Sequence, residues 1–574
     1  MNAVAVPAVY HNPRFECEQR RWLDNALRRT RYMSGALGRW HEGQLQRGKT
    51  LYDVNQETLG YINRLSRADF NLTAYDSELC ELAESMPSKF IKLRDAAMGE
   101  RQSAGGWSDG GTKRVIESRG WGDTLSALVD KSPTEAAAER LESRYSLGLD
   151  YAAMVKKYGE DGAGHRLADH LWWRKLLRKT AHRGTEGVLR ELGAVCKKRA
   201  PYVSNVTLRR YLEQQRRNRL LLENLEAENE DGESFTLAQL SDLGVSNPHN
   251  RFAELMVRNR GFEEWVEKEN KYQPQVGPSS GFVCMFYTWT TPSKYHAVNY
   301  DGAINPKYSG ASPVDAMKYL NKQWQKARAA IKREGLEIFG FRVAEPHHDG
   351  TPHWHIMLFV RCYQAAQLTD ILRAYVMAED GDEAGADKYR FDVVAIDPAK
   401  GGPAGYIVKY ISKNIKGIGV GIDEEADDYA VVTSARVQAW ASVWGIRQFQ
   451  QIGGPPVTPY RELRRAARNK ENLPVEVQEC EQLQLLMDAA DKSDWCEYTD
   501  QMGGAVCARV LRPLQAAQFV RDTLGKYGDA VMVLAGLWSH FVGPMIRSRF
   551  HSWTVRARER LPDVGCRAPP LAPA

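Results

Sequence analysis

Glu345-Pro-His-His-Asp-Gly-Thr-Pro-His353-Trp-His355-Ile-Met-Leu-Phe359 is the stretch on which the reading of this chain turns. Asp349-Gly350 is a tight-turn dipeptide of the kind that joins two antiparallel strands. Beyond it two histidines alternate with a bulky residue and run into an apolar segment, so 353–361 reads as a β-strand. Residues i and i+2 of a strand point to one face. His353 and His355 therefore leave the sheet together and can hold one divalent cation. Glu345 lies on the preceding strand, where a side chain can face the pair across the ladder, and it is the expected third ligand. Two imidazoles and a carboxylate suit Mg²⁺ or Mn²⁺ for phosphate chemistry, with Zn²⁺ left open. The plainer readings are an ordinary hairpin carboxylate for Glu345 and a solvated or core-satisfied pair for the histidines. His347 and His348 form an alternative ligand pair but read better as polar loop.

About fifty residues on comes Gly405-Tyr406-Ile-Val-Lys409-Tyr410-Ile-Ser-Lys413-Asn414. Tyr406 and Tyr410 are four apart, which puts both phenols on one face of a helix. Lys409 and Lys413 each follow a tyrosine by three and lie near that face. A phenol must lose its proton to attack phosphorus, and a neighbouring cation favours the phenolate. The plain reading is a basic amphipathic helix with tyrosines half in the core. The His-Trp-His strand tips the balance towards catalysis: Tyr406 and Tyr410 as nucleophiles, Lys409 and Lys413 as their charge partners, and a metal that polarises a phosphate.

Around these two segments the pattern alternates. Strands are predicted at Phe282–Thr290, Leu336–Ala344, 353–361 and Arg390–Ile396. Helices are predicted at Pro313–Glu334, with Ser312 as cap, at Leu368–Met377 and at Pro403–Lys416. The order β-α-β-β-α-β-α has the ferredoxin-like, split βαβ rhythm with an antiparallel sheet. Gln273–Gly281 and Gly453–Pro459, rich in Pro and Gly, bound this domain, placed at 273–460. The flanks read as mostly α-helical. Residues 1–130 form a helical N-terminal region with a Gly-rich linker near 99–125. Residues 131–272 are helical and basic, a candidate DNA- or partner-binding region. Residues 461–574 are helical, with Leu511–Gly525 among the predicted helices, and end in a basic tail. The fold class is therefore α+β.

The chain has 574 residues, enough for several domains, and its 43% hydrophobic and 26% charged residues are ordinary for a protein with buried cores. No apolar run approaches the length of a membrane span, and the start, broken by Pro7, does not read as a signal peptide. The nine cysteines are scattered, with no C-x-x-C pair. That argues against a zinc ribbon or a disulfide framework and for a reducing compartment. The net charge of +6 is modest, but Lys197–Arg219 carries eight Lys or Arg against Glu213 alone. Such clusters fit a nucleic acid bound in grooves, although a solvated helix face explains any one of them. Lys294, Tyr295, Lys409 and Lys416, the Trp172–Lys179 stretch and the tail Arg547–Arg560 are further candidate DNA contacts.

Three blocks in order resemble the HUH endonucleases, and most closely the bacteriophage replication gene A proteins, initiators of rolling-circle replication. They are Phe286-Tyr-Thr-Trp-Thr-Thr-Pro-Ser-Lys-Tyr-His296, then Glu345 to His355, then Tyr406-Ile-Val-Lys-Tyr410. Gln438–Phe449 adds to the likeness, which covers roughly 280–460. The resemblance implies a central HUH domain, with Glu345, His353 and His355 on an antiparallel sheet and the tyrosine helix beside it. It implies an endonuclease that nicks single-stranded or locally melted origin DNA. A 5′-phosphotyrosine forms at Tyr406 or Tyr410, a 3′-OH is freed to prime synthesis, and the second tyrosine later rejoins the displaced strand. It further implies host helicase and polymerase as partners and the cytoplasm of a bacterial host as the location. No G-x-x-x-x-G-K-[ST] occurs in the chain, so unwinding falls to the host. The competing readings are a relaxase- or transposase-like nuclease with the same site, and a non-catalytic DNA-binding initiator.

Overall fold

The computed structural model describes residues 13–67, 69–105, 131–272, 281–300, 302–397, 401–415, 417, 421–423, 426–543 and 545–558. They fall into two compact units. One comprises Met1–Arg199, Ala297–Pro306 and Val520–Val533; the other comprises Ala200–His296, Lys307–Phe519 and Leu534–Ala574. Among the described residues, no helix is long and apolar enough to cross a membrane.

The second unit is built on a five-stranded sheet. Its strands are β1 Phe282–Trp289, β2 Ile338–Pro346, β3 Pro352–Arg361, β4 Phe391–Ala395 and β5 Phe449–Ile452. They lie in the order β4-β1-β3-β2-β5, and every neighbouring pair is antiparallel. Helix α1, Pro313–Arg333, connects β1 to β2; α2, Ala365–Val376, connects β3 to β4; α3, Gly402–Ile415, follows β4; and α4, Ala430–Trp444, precedes β5. Ser312 does cap α1: its hydroxyl accepts from Asp315 N–H while Asp315 returns the bond, and Pro313 takes the first turn, where no N–H is missed.

β3 is buried along nearly its whole length, so the period of two sorts its side chains between two cores rather than between core and water. Met357 and Phe359 join Phe286, Phe339, Phe341, Ile407 and Ile411 on the face that bears α3. Trp354, Ile356, Leu358 and Val360 join Trp289, Leu320, Trp324, Leu368 and Trp440 on the other face. Trp354 lies parallel to Trp289, centroids 6.0 Å apart, with the Arg342 guanidinium 4.0 Å from its ring. The strands approach closely at Gly340, where a Cβ would sit 2.0 Å from the Met357 carbonyl oxygen, so glycine is required there.

The first unit is helical. Its helices include Leu51–Leu65, Asp76–Gly105, Pro133–Tyr145, Tyr151–Leu167 and His170–Glu191. Asp169 caps the last of these, accepting from Leu171 N–H, and also accepts from Lys526 Nζ at 2.7 Å and Tyr527 Oη at 2.5 Å. Arg166 is stacked between Tyr158 and Tyr527, with its guanidinium carbon 3.6 and 4.5 Å from the two rings, and it pairs with Asp529.

Two helical readings and the linker reading need correction. Leu511–Gly525 is not a helix: Leu514–Val520 is an edge strand of a small three-stranded sheet, where strand pairing overrides its local composition. The 131–272 region is not helical throughout. Leu225–Asn229 and Ser234–Thr236 form a hairpin, turned at Gly232 with φ 82°, and Trp553–Ala557 adds a third strand. The hairpin and the basic tail thus meet, with Arg556 bridging Glu226 and Glu228. Residues 99–105 of the expected Gly-rich linker extend the helix Asp76–Gly105, and 106–125 lie outside the described residues, as do 273–280, Lys416 and the tail from 559.

Candidate metal and tyrosine site

The register of the β2–β3 hairpin sets the site. Glu345 stands directly opposite His353, and Val343 opposite His355. On the other side of β3, Thr288 of β1 stands opposite His355, with its hydroxyl 3.4 Å from Nδ1. All three expected ligands are buried. His353 Nε2 and His355 Nε2 are 3.0 Å apart, and His355 Nε2 is 3.9 Å from Glu345 Oε2. One ligand atom from each of Glu345, His353 and His355 lies within 4.8 Å of the others. A neutral imidazole offers one lone pair. Two ring nitrogens that each bind at roughly 2.1 Å to one cation end up about 3 Å apart, so the separation seen suits a shared ion. Among the described residues this is the one cluster of that kind.

The carboxylate is fixed from behind. Asn414 Nδ2 donates to Glu345 Oε1 at 2.5 Å and to the Tyr410 carbonyl at 2.7 Å, and Gln448 Nε2 donates to Asn414 Oδ1 at 2.7 Å. Lys413 Nζ lies 3.4 Å from Glu345 Oε2 and 3.0 Å from Asp423 Oδ1. Burial, and with it the charge of Asp423, pushes the Glu345 carboxyl above its ordinary value, against the pull of Lys413 and Asn414.

α3 brings both tyrosines to the sheet. The Tyr410 ring lies 4.0 Å from the His355 ring, while Tyr406 is one turn away with its edge against Phe286 at 4.6 Å. Phe286 in turn stacks on Tyr410 at 5.2 Å and on His355 at 5.6 Å, so one ring of β1 spaces all three. Both phenols are half-buried. Burial, and then the charge of Asp392, push the Tyr406 phenol above its ordinary value. Lys409 Nζ is 5.0 Å from the Tyr406 ring centre and 4.8 Å from that of Tyr410. The two expected lysines thus differ in place: Lys409 is exposed over the phenols, while Lys413 sits between two buried carboxylates.

His347 is more than polar loop: its ring stacks on His353 at 4.0 Å, and His296 follows at 5.1 Å. His348 is buried, and its carbonyl accepts from Tyr202 N–H at 3.1 Å. Lys294, a candidate DNA contact, is tied to Glu379 and Asp380. Asn414, Asp423, Tyr202 and Thr288 escape a reading by motif. Asn414 follows Tyr410 by four, a spacing that does place it on the tyrosine face. Nothing in the sequence points to Tyr202, more than 140 residues upstream of its neighbours at the site.

Comparison with known proteins adds a family. The model of the bacteriophage replication gene A protein matches residues 155–418. The chain is 39% identical over 415 residues to the replication gene A protein of Escherichia phage 186, covering 70% of this chain and 58% of that protein. It is 36% identical over 403 residues to the probable replication protein P12 of Pseudoalteromonas phage PM2, covering 68% and 60%. It is 33% identical over 412 residues to a probable replication endonuclease from a prophage-like region of Salmonella paratyphi A, covering 69% and 50%. The chain thus spans between half and three-fifths of the length of these relatives. No solved structure is significantly similar.

Proposed function

Through residues 155–418 the chain belongs to the bacteriophage replication gene A protein family, and on that premise we propose that it is a metal-dependent HUH endonuclease that nicks and rejoins DNA at a phage replication origin. The observation that carries the proposal is the contact between His355 and Tyr410, which sets a nucleophile against a ligand of the candidate metal cluster. Glu345, His353 and His355 would hold Mg²⁺ or Mn²⁺, which when bound draws charge from a phosphate oxygen. The strand order β4-β1-β3-β2 with two crossover helices supports the ferredoxin-like, split βαβ arrangement, here with β5 added at one edge. The catalytic domain is placed at 273–460, flanked by 1–130, 131–272 and 461–574.

The chemistry follows from the side chains. A tyrosine Oη gives up its proton and attacks the scissile phosphorus. The bond to O3′ breaks, leaving a 3′-OH and a 5′-phosphotyrosine. One P–O bond is made for one broken, so no nucleotide is consumed. Lys409, above both rings, favours the phenolate and meets charge on the non-bridging oxygens. With two phenols on one helix face, the second can attack the regenerated junction. The 3′-OH of the displaced strand then attacks the first phosphotyrosine, closes the strand and releases the first phenol. Locally melted or single-stranded origin DNA is the substrate, the host helicase and polymerase are the partners, and the host cytoplasm is the location.

The test is covalent capture. Full-length protein with Mn²⁺ and a random-sequence single-stranded DNA pool should yield an adduct that survives denaturation. Absence of any adduct from single-stranded and supercoiled DNA alike would leave a non-catalytic DNA-binding initiator.

A further inference from the structure

Behind Glu345 lies a second buried carboxylate. Asp423 is 3% exposed and has three partners: Lys413 Nζ at 3.0 Å from Oδ1, and Tyr202 Oη at 2.7 Å and Thr433 Oγ1 at 2.8 Å, both donating to Oδ2. The Lys413 ammonium also lies 5.1 Å from the centre of the Tyr202 ring. Tyr202 is fully buried and holds φ at 71°, a left-handed conformation that costs a bulky residue energy. Such an outlier persists where its surroundings over-determine it, and functional sites are where these outliers gather. Here both ends of Tyr202 are bonded: its N–H to the His348 carbonyl in the β2–β3 turn, and its hydroxyl to Asp423.

We infer that Asp423, set by Tyr202 and Thr433, is a positioning residue that draws the Lys413 charge away from Glu345 and so keeps the Glu345 carboxylate able to ligate a cation. The inference rests on the metal reading of Glu345, His353 and His355. Distances support it. Lys413 is nearer to Asp423 than to Glu345, and the Glu345 oxygen that faces Lys413, Oε2, is also the one that faces His355. A lone buried ammonium beside Glu345 would instead form a full ion pair with it and compete with any cation. The second carboxylate shares the ammonium and removes that competition. Groups placed behind metal ligands in this way commonly change metal affinity by ten- to a hundredfold.

The experiment is a Mn²⁺ titration of the full-length protein without DNA, followed by the loss of the free-ion EPR signal. Near-UV circular dichroism is recorded in parallel to check packing. Asp423→Asn keeps an acceptor for Tyr202 and Thr433 but drops the charge, and it should weaken Mn²⁺ binding by roughly ten- to a hundredfold. Tyr202→Phe changes no charge and keeps the ring, and it should weaken binding by at least about threefold. Unchanged affinity in Asp423→Asn overturns the inference. So does a fall in Asp423→Asn with none in Tyr202→Phe, which reduces Asp423 to a distant negative charge. If Asp423→Asn does not fold, Tyr202→Phe decides alone. Failure of the unaltered protein to bind Mn²⁺ sinks the metal reading itself, an outcome distinct from either variant result.

Discussion

The imidazole of His355 and the phenol of Tyr410 lie ring against ring, centroids 4.0 Å apart and planes 33° from parallel. The candidate metal ligand and the proposed nucleophile are thereby held by one packing contact, with Phe286 stacked on both. The two functions can be separated. His355→Phe keeps a flat ring against Tyr410 but removes the donor nitrogen. It should lower Mn²⁺ affinity on the order of a hundredfold or more while leaving thermal stability near that of the parent. Mn²⁺ titration and thermal unfolding, run side by side, check this. Equal Mn²⁺ binding in the variant would remove His355 from the ligand set.

The tyrosines are not equivalent by position. Tyr410 touches His355, and Tyr406 stands one turn further along α3 against Phe286. Tyr410→Phe is expected to cut the yield of the first covalent adduct roughly tenfold or more, a barrier change of about 1.4 kcal/mol or above. Tyr406→Phe should leave the first adduct largely intact and suppress rejoining. Trypsin resolves the two, because Lys409 lies between them and gives each tyrosine its own peptide. Phosphonucleotide mass found on the Tyr406 peptide in the first turnover would reverse the assignment.

Trp354 belongs to the same strand as both histidines but to the opposite core. Its loss should act on folding, not on the site. Trp354→Ala opens a cavity beside Trp289 and Arg342, and is expected to cost about 3–5 kcal/mol. A lowered urea midpoint, with Mn²⁺ affinity unchanged in the folded fraction, is the expected result. Loss of Mn²⁺ binding without loss of stability would contradict the two-face reading of β3.

In the first unit, burial alone would raise the Asp169 carboxyl, but hydrogen bonds from Lys526 and Tyr527 outweigh it and bring it down to about 2. An unfolded aspartate titrates near 3.9. A depressed carboxyl stabilises the folded state fully above the unfolded value, and that contribution disappears as pH falls from about 4 to about 2. Asp169→Asn keeps an oxygen to cap the helix and drops the charge. It should cost about 1–2 kcal/mol at pH 7, with the gap to the parent closing by pH 2. A gap independent of pH in urea unfolding would point to shape, not charge.

What the sequence shows of this site is what short-range periodicity carries. His353 and His355 share a face because strands repeat every two residues, and Tyr406 and Tyr410 share one because helices repeat near four. Glu345 is reached by one further step, the Asp349-Gly350 turn, whose register does set Glu345 opposite His353. The positions of strands β1 to β4 follow from the same local patterns. Tyr202 and Asp423 stay hidden because they lie 221 residues apart, and no local pattern encodes a contact of that range. The C-terminal strands are misread as helix for a different reason. Leu514–Val520 has leucine, alanine and glutamine in helix-like composition, and its place in a three-stranded sheet makes it extended.

The central claim is that a tyrosine of α3, assisted by the Glu345, His353 and His355 cluster, takes the DNA phosphate. The most direct measurement is covalent capture on a random single-stranded DNA pool with Mn²⁺, read on a denaturing gel and mapped by tryptic mass spectrometry. The account predicts an adduct on the peptide holding Tyr406 or that holding Tyr410, lost in the double change Tyr406→Phe and Tyr410→Phe and lost when the metal is chelated. An adduct that persists in the double variant, or that maps to any other residue, would contradict it.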